Sequence, residues 1–275
     1  MQSTLQIGGA VVFWKLATRT DADKLAEGLT RIGLNDFSPD PRKPLALLRE
    51  ALGEVMERKM IRPLGSKSGY EVVSETKGDD MNSYEHYASV KLDEGRMRFE
   101  GLTDDDERRI AACYLEFSAY ITGQQIAEML LKLVYKLGGV PLRPCGAIYW
   151  LPVDQLARWA EITAVVEQCA VKGESQLHCL QVQFDESAVR AVHEGIVADI
   201  TASVDLITEQ ILSGDLKTRA LDSKLHEATQ LRAKVEQYEA ALGKRMDDVR
   251  TRIVSIETAA ANAQLQLTAA AMSSN

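Results

Sequence analysis

Apolar residues in the last third of the chain recur at alternating steps of four and three. A walk from Leu221 meets positions 225, 228, 232, 235, 239, 242, 246, 249, 253, 256 and 260, and only Arg232 and Glu239 are polar among them. That spacing predicts one long helix over about residues 216–268, with a coiled-coil seam that shifts phase locally. Upstream, "DESAVRAVHEGIVADITASVDLITEQILS" predicts a second helix from Asp185, ended by Gly214 and Asp215. A loop that short predicts antiparallel neighbours. The expected architecture of 185–275 is therefore a long antiparallel helical hairpin with a frayed "TAAAMSSN" end. At the rise of a helix its legs would be roughly 42 Å and 73 Å long. The shorter leg then runs out near residue 245, while Met246, Val249, Ile253 and Ile256 continue the stripe. Four large side chains left in water would each forgo roughly 1.5–3 kcal/mol. These four residues are the predicted partner-binding face. Its cover would be a second copy, another subunit, or the chain's own N-terminal region.

Before residue 185 the pattern mixes periods of two and 3.6. "LQIGGAVVFWKL" predicts a strand. "TDADKLAEGLTRIGL" and "DPRKPLALLREALGEVMERKM" predict helices, the first capped by Thr20 or Asp21 and the second opened by Pro44. "IRPLGSKSGYEVVSE" predicts a hairpin. The order then recurs. "YEHYASVKLDEGRMRFEG" predicts a hairpin turning at Glu94-Gly95. "TDDDERRIAACYLEFSAY" predicts a helix started by Thr103 and three aspartates. "TGQQIAEMLLKLVYKLG" predicts a helix ended by Gly138. In "GVPLRPCGAIYWLP", Pro141 and Pro144 restrict a strand to an edge, Cys145-Gly146 makes a turn, and Ile148, Tyr149 and Trp150 return. "VDQLARWAEITAVVEQCA" predicts a helix and "LHCLQVQF" a strand.

"IRPLGSKSGYEV" and "LRPCGAIYWL" share an apolar-Arg-Pro-x-Gly pattern, 81 residues apart in the sequence. The two halves thus predict repeated helix-helix-hairpin modules of winged-helix type. The expected fold class is α+β, with modules at 1–80 and 81–184 and the helical hairpin at 185–275.

Composition supports that division. All seven prolines lie at or before Pro152, and after Phe184 the only aromatic residue is Tyr238. The formal net charge of −8 argues against a general binder of nucleic acid or anionic membrane, because phosphate contacts need clustered Lys and Arg. Residues 1–152 hold 20 basic and 22 acidic side chains, a net of −2. No run of eighteen apolar residues predicts a membrane span. Four cysteines without CxxC spacing (Cys113, Cys145, Cys169, Cys179) and an N-terminus without a basic leader predict a cytoplasmic protein with reduced thiols.

Candidate chemistry is sparse. "QIGGAVVF" is no phosphate cradle, and no GxSxG elbow occurs. Asp104, Asp105, Asp106 and Glu107 read as a helix start rather than a cation site. His86, His178, His193 and His226 stand at no metal-ligand spacing, and His178 and Cys179 point to opposite faces of a strand. No cofactor, metal or catalytic residue is predicted. A winged-helix reading would place Arg42, Lys43 and Arg62 of the first module, and Lys132, Lys136 and Arg143 of the second, against nucleic acid.

"GVPLRPCGAIYWLP" behind a helix, followed by "SGDLKTRALDSKLHEATQLRAKVEQYEAALG", resembles a group of bacterial and phage proteins of unknown function. The resemblance runs over most of the chain, from "GAVVFWKL" to the coiled coil, and implies no catalytic residues. The expected function is a non-catalytic assembly or adaptor protein, self-associating or docking to another subunit. The alternative is a nucleic-acid-binding protein of phage or defence context.

Overall fold

The structure is a computed structural model that describes residues 7–77, 82–143, 147–183, 185–213 and 218–273. The chain divides into two compact units. One comprises Met1–Lys15, Leu130–Thr163 and Gln176–Asn275, and the other comprises Leu16–Met129 and Ala164–Ser175.

The second unit holds β2 (Arg19–Asp21), α1 (Ala22–Arg31), α2 (Pro44–Val55), β3 (Met60–Pro63), β4 (Gly69–Lys77), β5 (Asn82–Asp93), β6 (Arg96–Glu100), α3 (Asp104–Ser118) and β7 (Tyr120–Thr122). It also takes the start of α4 (Gly123–Lys136), the end of α5 (Leu156–Gln168), and β10 (Ala170–Lys172). The helices start where their side chains can satisfy free amides. Asp21 accepts from the Lys24 N–H at 3.0 Å, and Thr103 accepts from the Asp106 N–H at 3.2 Å. Pro44 occupies the first turn of α2, where its missing N–H costs nothing. Glu94 and Gly95 both take positive φ (48° and 81°), the geometry of a two-residue turn between β5 and β6. β3, β4, β5 and β6 form one antiparallel meander in that order. Its inner face (Val72, Ala88, Val90) packs on Leu48, Leu52, Ile110 and Phe117 of α2 and α3. β10, β2 and β7 form a second, short sheet.

The first unit is built on the sheet β11-β1-β9-β8, with β1 at Ile7–Lys15, β8 at Val140–Pro141, β9 at Tyr149–Pro152 and β11 at Gln176–Gln183. All pairings are antiparallel. β1 alternates its side chains between the two faces of the sheet. Ala10, Val12 and Trp14 share one, where Trp14 stacks on Tyr149 (5.3 Å) and lies 6.3 Å from Trp159 of α5. On the other face Trp150 meets α6 (Glu186–Leu212), α7 (Thr218–Leu242) and α8 (Asp247–Ser273). Its ring approaches Tyr238 edge-on at 6.3 Å.

Among the described residues the expected long helical hairpin and coiled coil are absent. The predicted second leg is two helices, because the chain breaks at Gly243, which takes φ 62°, and α8 folds back along α7. Residues 185–273 thus form three helices of 27, 25 and 27 residues that share one apolar cluster. The winged-helix repeats are absent too. The hairpin at 60–77 is no free wing, since β4 pairs with β5 across the expected module boundary at 80/81. The second "wing" is part of the first unit's sheet, because β9 pairs with β8 on one side and with β1 on the other. Pro141 lies on the edge strand β8, while Pro144, Cys145 and Gly146 fall outside the described residues.

Candidate interaction surface

β11 lies at an end of its sheet, and the direction of its backbone groups follows from β8 and β9. The Leu142 N–H donates to the Ile148 carbonyl at 3.1 Å, so the 142–148 pair is hydrogen-bonded and, two steps on, so is Val140–Trp150. Trp150 therefore turns its N–H and C=O toward β8. Its partner on β1, Val11, turns its own toward β11, where it faces Leu180. Alternation then aims the backbone groups of Cys179 and Gln181 off the sheet.

The side chains there are open. His178, Cys179, Leu180 and Gln181 are all exposed, with Leu180 at 57%. His178 stacks on Phe13 of β1 at 4.6 Å, which extends the apolar strip formed with Leu180. No residue from Gln176 to Gln183 is charged or a proline. Those are the devices that normally blunt a sheet edge. The other described edges carry such a device or are short. β8 has two residues, one of them Pro141; β3 ends in Pro63; β6 carries Arg96, Arg98 and Glu100; β10 and β7 have three residues each.

A groove of about 650 Å³ lies elsewhere in the first unit, lined by Tyr135, Leu142 and the small residues Ala191, Gly195, Ala198 and Ala202 of α6. Asp199 at its margin pairs with Lys234 at 3.1 Å, and the Lys234 ammonium lies 5.4 Å from the Tyr135 ring. Gly195 lets α6 approach β8, since a Cβ there would sit 2.8 Å from the Pro141 carbonyl oxygen.

The residues singled out from the sequence are distributed differently. Met246, Val249, Ile253 and Ile256 are buried, at 1–3% exposure, against α6 and α7 of the same chain. The stripe's cover is internal. The six basic residues are divided between the two units. Arg42, Lys43 and Arg62 belong to the second unit, and Lys132, Lys136 and Arg143 to the first. Arg42 is paired with Glu50. Arg62 lies 4.8 Å from the Tyr84 ring and Lys59 lies 3.8 Å from the Tyr87 ring. His86 stands 4.0 Å from Glu71, and Asp104–Glu107 occupy the first turn of α3. Burial pushes the thiols of Cys113 and Cys169 up, away from the thiolate form a nucleophile needs, and desolvation by its neighbours moves the Cys179 thiol the same way although that side chain is exposed. Burial, then the nearby Lys244 charge, lowers the His193 pKa.

Sequence reading identified β11 as a strand and missed that it is an edge. Its lack of charge over eight residues is the pattern of an interior strand, so the sequence carries no signal for an edge position.

Among the described residues, the fold defines an α+β protein with three antiparallel sheets, one of which ends in the exposed strand β11. The chain belongs to a family described as "Family of unknown function (DUF6744)", which matches residues 7–271. No curated protein and no solved structure matches it. Among the described residues, no helix is long and apolar enough to cross a membrane.

Proposed function

We propose that the protein is a non-catalytic assembly or adaptor component that engages another chain by strand addition to β11. The observation that carries this reading is the β11 edge. It combines outward backbone groups at Cys179 and Gln181 with an exposed, uncharged side-chain row. An added strand gains ladder hydrogen bonds for affinity, and contacts at alternate side chains give specificity. Site-specific photo-crosslinking in the host cell tests it. A photoreactive residue at Leu180 should yield a protein adduct, while one at Leu115, exposed in the second unit, should not. Absence of any adduct from Leu180 overturns the reading.

A second reading has its own support. Arg62–Tyr84 and Lys59–Tyr87 set cations beside exposed rings, an arrangement on which single-stranded bases stack. Titration with a single-stranded oligonucleotide across salt concentrations tests it. Binding that falls steeply with salt and weakens in Arg62→Ala supports nucleic-acid contact. Salt-insensitive or undetectable binding removes it.

A further inference from the structure

We propose that the chain docking on β11 is a second copy of the same chain, paired antiparallel about a two-fold axis through Leu180. This inference rests on the strand-addition reading and names its occupant.

The backbone fixes the choice of register. Groups of Cys179 and Gln181 point off the sheet, so a two-fold partner must set odd-numbered residues opposite odd-numbered ones. Centring the pair on Leu180 places Cys179 opposite Gln181 of the other copy, and Gln181 opposite its Cys179. Each of those pairs exchanges two N–H···O=C bonds, giving four. Leu180 then faces Leu180 in the non-hydrogen-bonded position, where opposing side chains lie closest, with Cα atoms about 4.5 Å apart. His178 falls opposite Val182. The exposed strip of one copy is thus laid against the same strip of the other, and the 57% exposed Leu180 is covered.

Charge is compatible with the same occupant. The chain carries a net charge of −8, which opposes self-association over most of its surface. Gln176–Gln183 carries no charge, so two copies can meet there without like charges opposite one another. The strand has no charged row with which to select a highly basic or acidic partner. The isologous match of a strand to itself is also how closed two-fold dimers form.

Light scattering after gel filtration, from low to high micromolar protein, provides the test. The wild type should show twice the 30.4 kDa chain mass. Leu180→Glu places two carboxylates face to face at the axis, and Gln181→Pro removes an amide that points off the sheet. Both should give the single-chain mass with the wild-type circular dichroism spectrum and a cooperative thermal transition whose midpoint no longer rises with protein concentration, because neither position's altered group serves the monomer's sheet. In a chain keeping Cys179 as its only cysteine, a short bismaleimide should link the two copies. Residues two apart on facing strands lie about 7–8 Å from each other, within its reach.

A wild type of single-chain mass throughout overturns the proposal. So does a dimer that survives both substitutions. If the wild type is monomeric and photoreactive position 180 captures a different protein, the second copy is excluded and strand addition stands. If position 180 captures nothing, both fall.

Discussion

The Glu239 carboxylate in α7 accepts the Met246 backbone N–H at 2.7 Å and the Arg250 Nε–H at 3.0 Å, clasping the turn by which α8 folds back along α7. One side chain thus caps the start of the last helix and pairs with a residue one turn further on. Replacing it with alanine leaves a buried-end amide and a guanidinium without their acceptor. We expect Glu239→Ala to lower unfolding free energy by about 1–2 kcal/mol, read from urea midpoints.

The same contact sets a pH dependence. The Arg250 hydrogen bond, opposed by partial burial, holds the Glu239 carboxyl below its ordinary value. Folding therefore releases protons in acid, because the unfolded chain binds them more readily. The stabilisation is complete above the ordinary glutamate pKa of 4.5 and is lost as pH falls through the lower folded value. In Glu239→Gln that component should vanish. The stability difference between wild type and variant should be constant near neutrality and shrink below about pH 4.5.

Met246, Val249, Ile253 and Ile256 serve the interior. Ile253, 1% exposed, should cost about 2–4 kcal/mol when cut to alanine, measured by chemical unfolding. Its removal should leave the mass in solution unchanged below the unfolding transition. A change of mass without loss of stability would return these residues to an interface.

Tyr238 unites packing and a hydrogen bond. Its hydroxyl donates to the Gly138 carbonyl at 2.8 Å, and burial raises its pKa far above the ordinary tyrosine value, so the hydroxyl stays protonated and keeps donating. Tyr238→Phe should cost about 1 kcal/mol. Tyr238→Ala, which also empties the space beside Trp150, should cost about 3–5 kcal/mol. Both are checked by thermal and urea unfolding.

Gly195 sets two effects against each other. Alanine is favoured over glycine inside a helix by about 1 kcal/mol. Here its Cβ would stand 2.8 Å from a backbone oxygen of β8, which cannot swing aside as a side chain can. The clash should win. We expect Gly195→Ala to be destabilising, with the thermal midpoint lowered. A raised midpoint would show that α6 can move off the strand without loss.

These elements divide by the range of the forces that make them. Thr103, Pro44 and the Glu94-Gly95 turn act within a few residues, so the starts of α3 and α2 and the β5–β6 hairpin were legible in sequence. The break after α7 was not. Leu242, Met246 and Val249 keep the same three-four spacing whether a helix continues or turns back on itself. Gly243 was the local signal for the turn, a left-handed residue just past the last turn of α7. Sheet membership was equally hidden. The pairing of β4 with β5 and of β9 with β1 depends on which strand offers a matching buried face, and no short window contains that. For the same reason β11 could be read as a strand but not as an edge.

The placement of β1 has a consequence for synthesis. This strand, Ile7–Lys15, leaves the ribosome well before its two neighbours, Tyr149–Pro152 and Gln176–Gln183. Bringing ends together over such separations carries a loop-closure cost and slows folding. Until those strands have emerged, Val11, Val12, Phe13 and Trp14 have no ladder to join. The nascent polypeptide must shelter this segment, by transient collapse or by a chaperone, while the residues between are made.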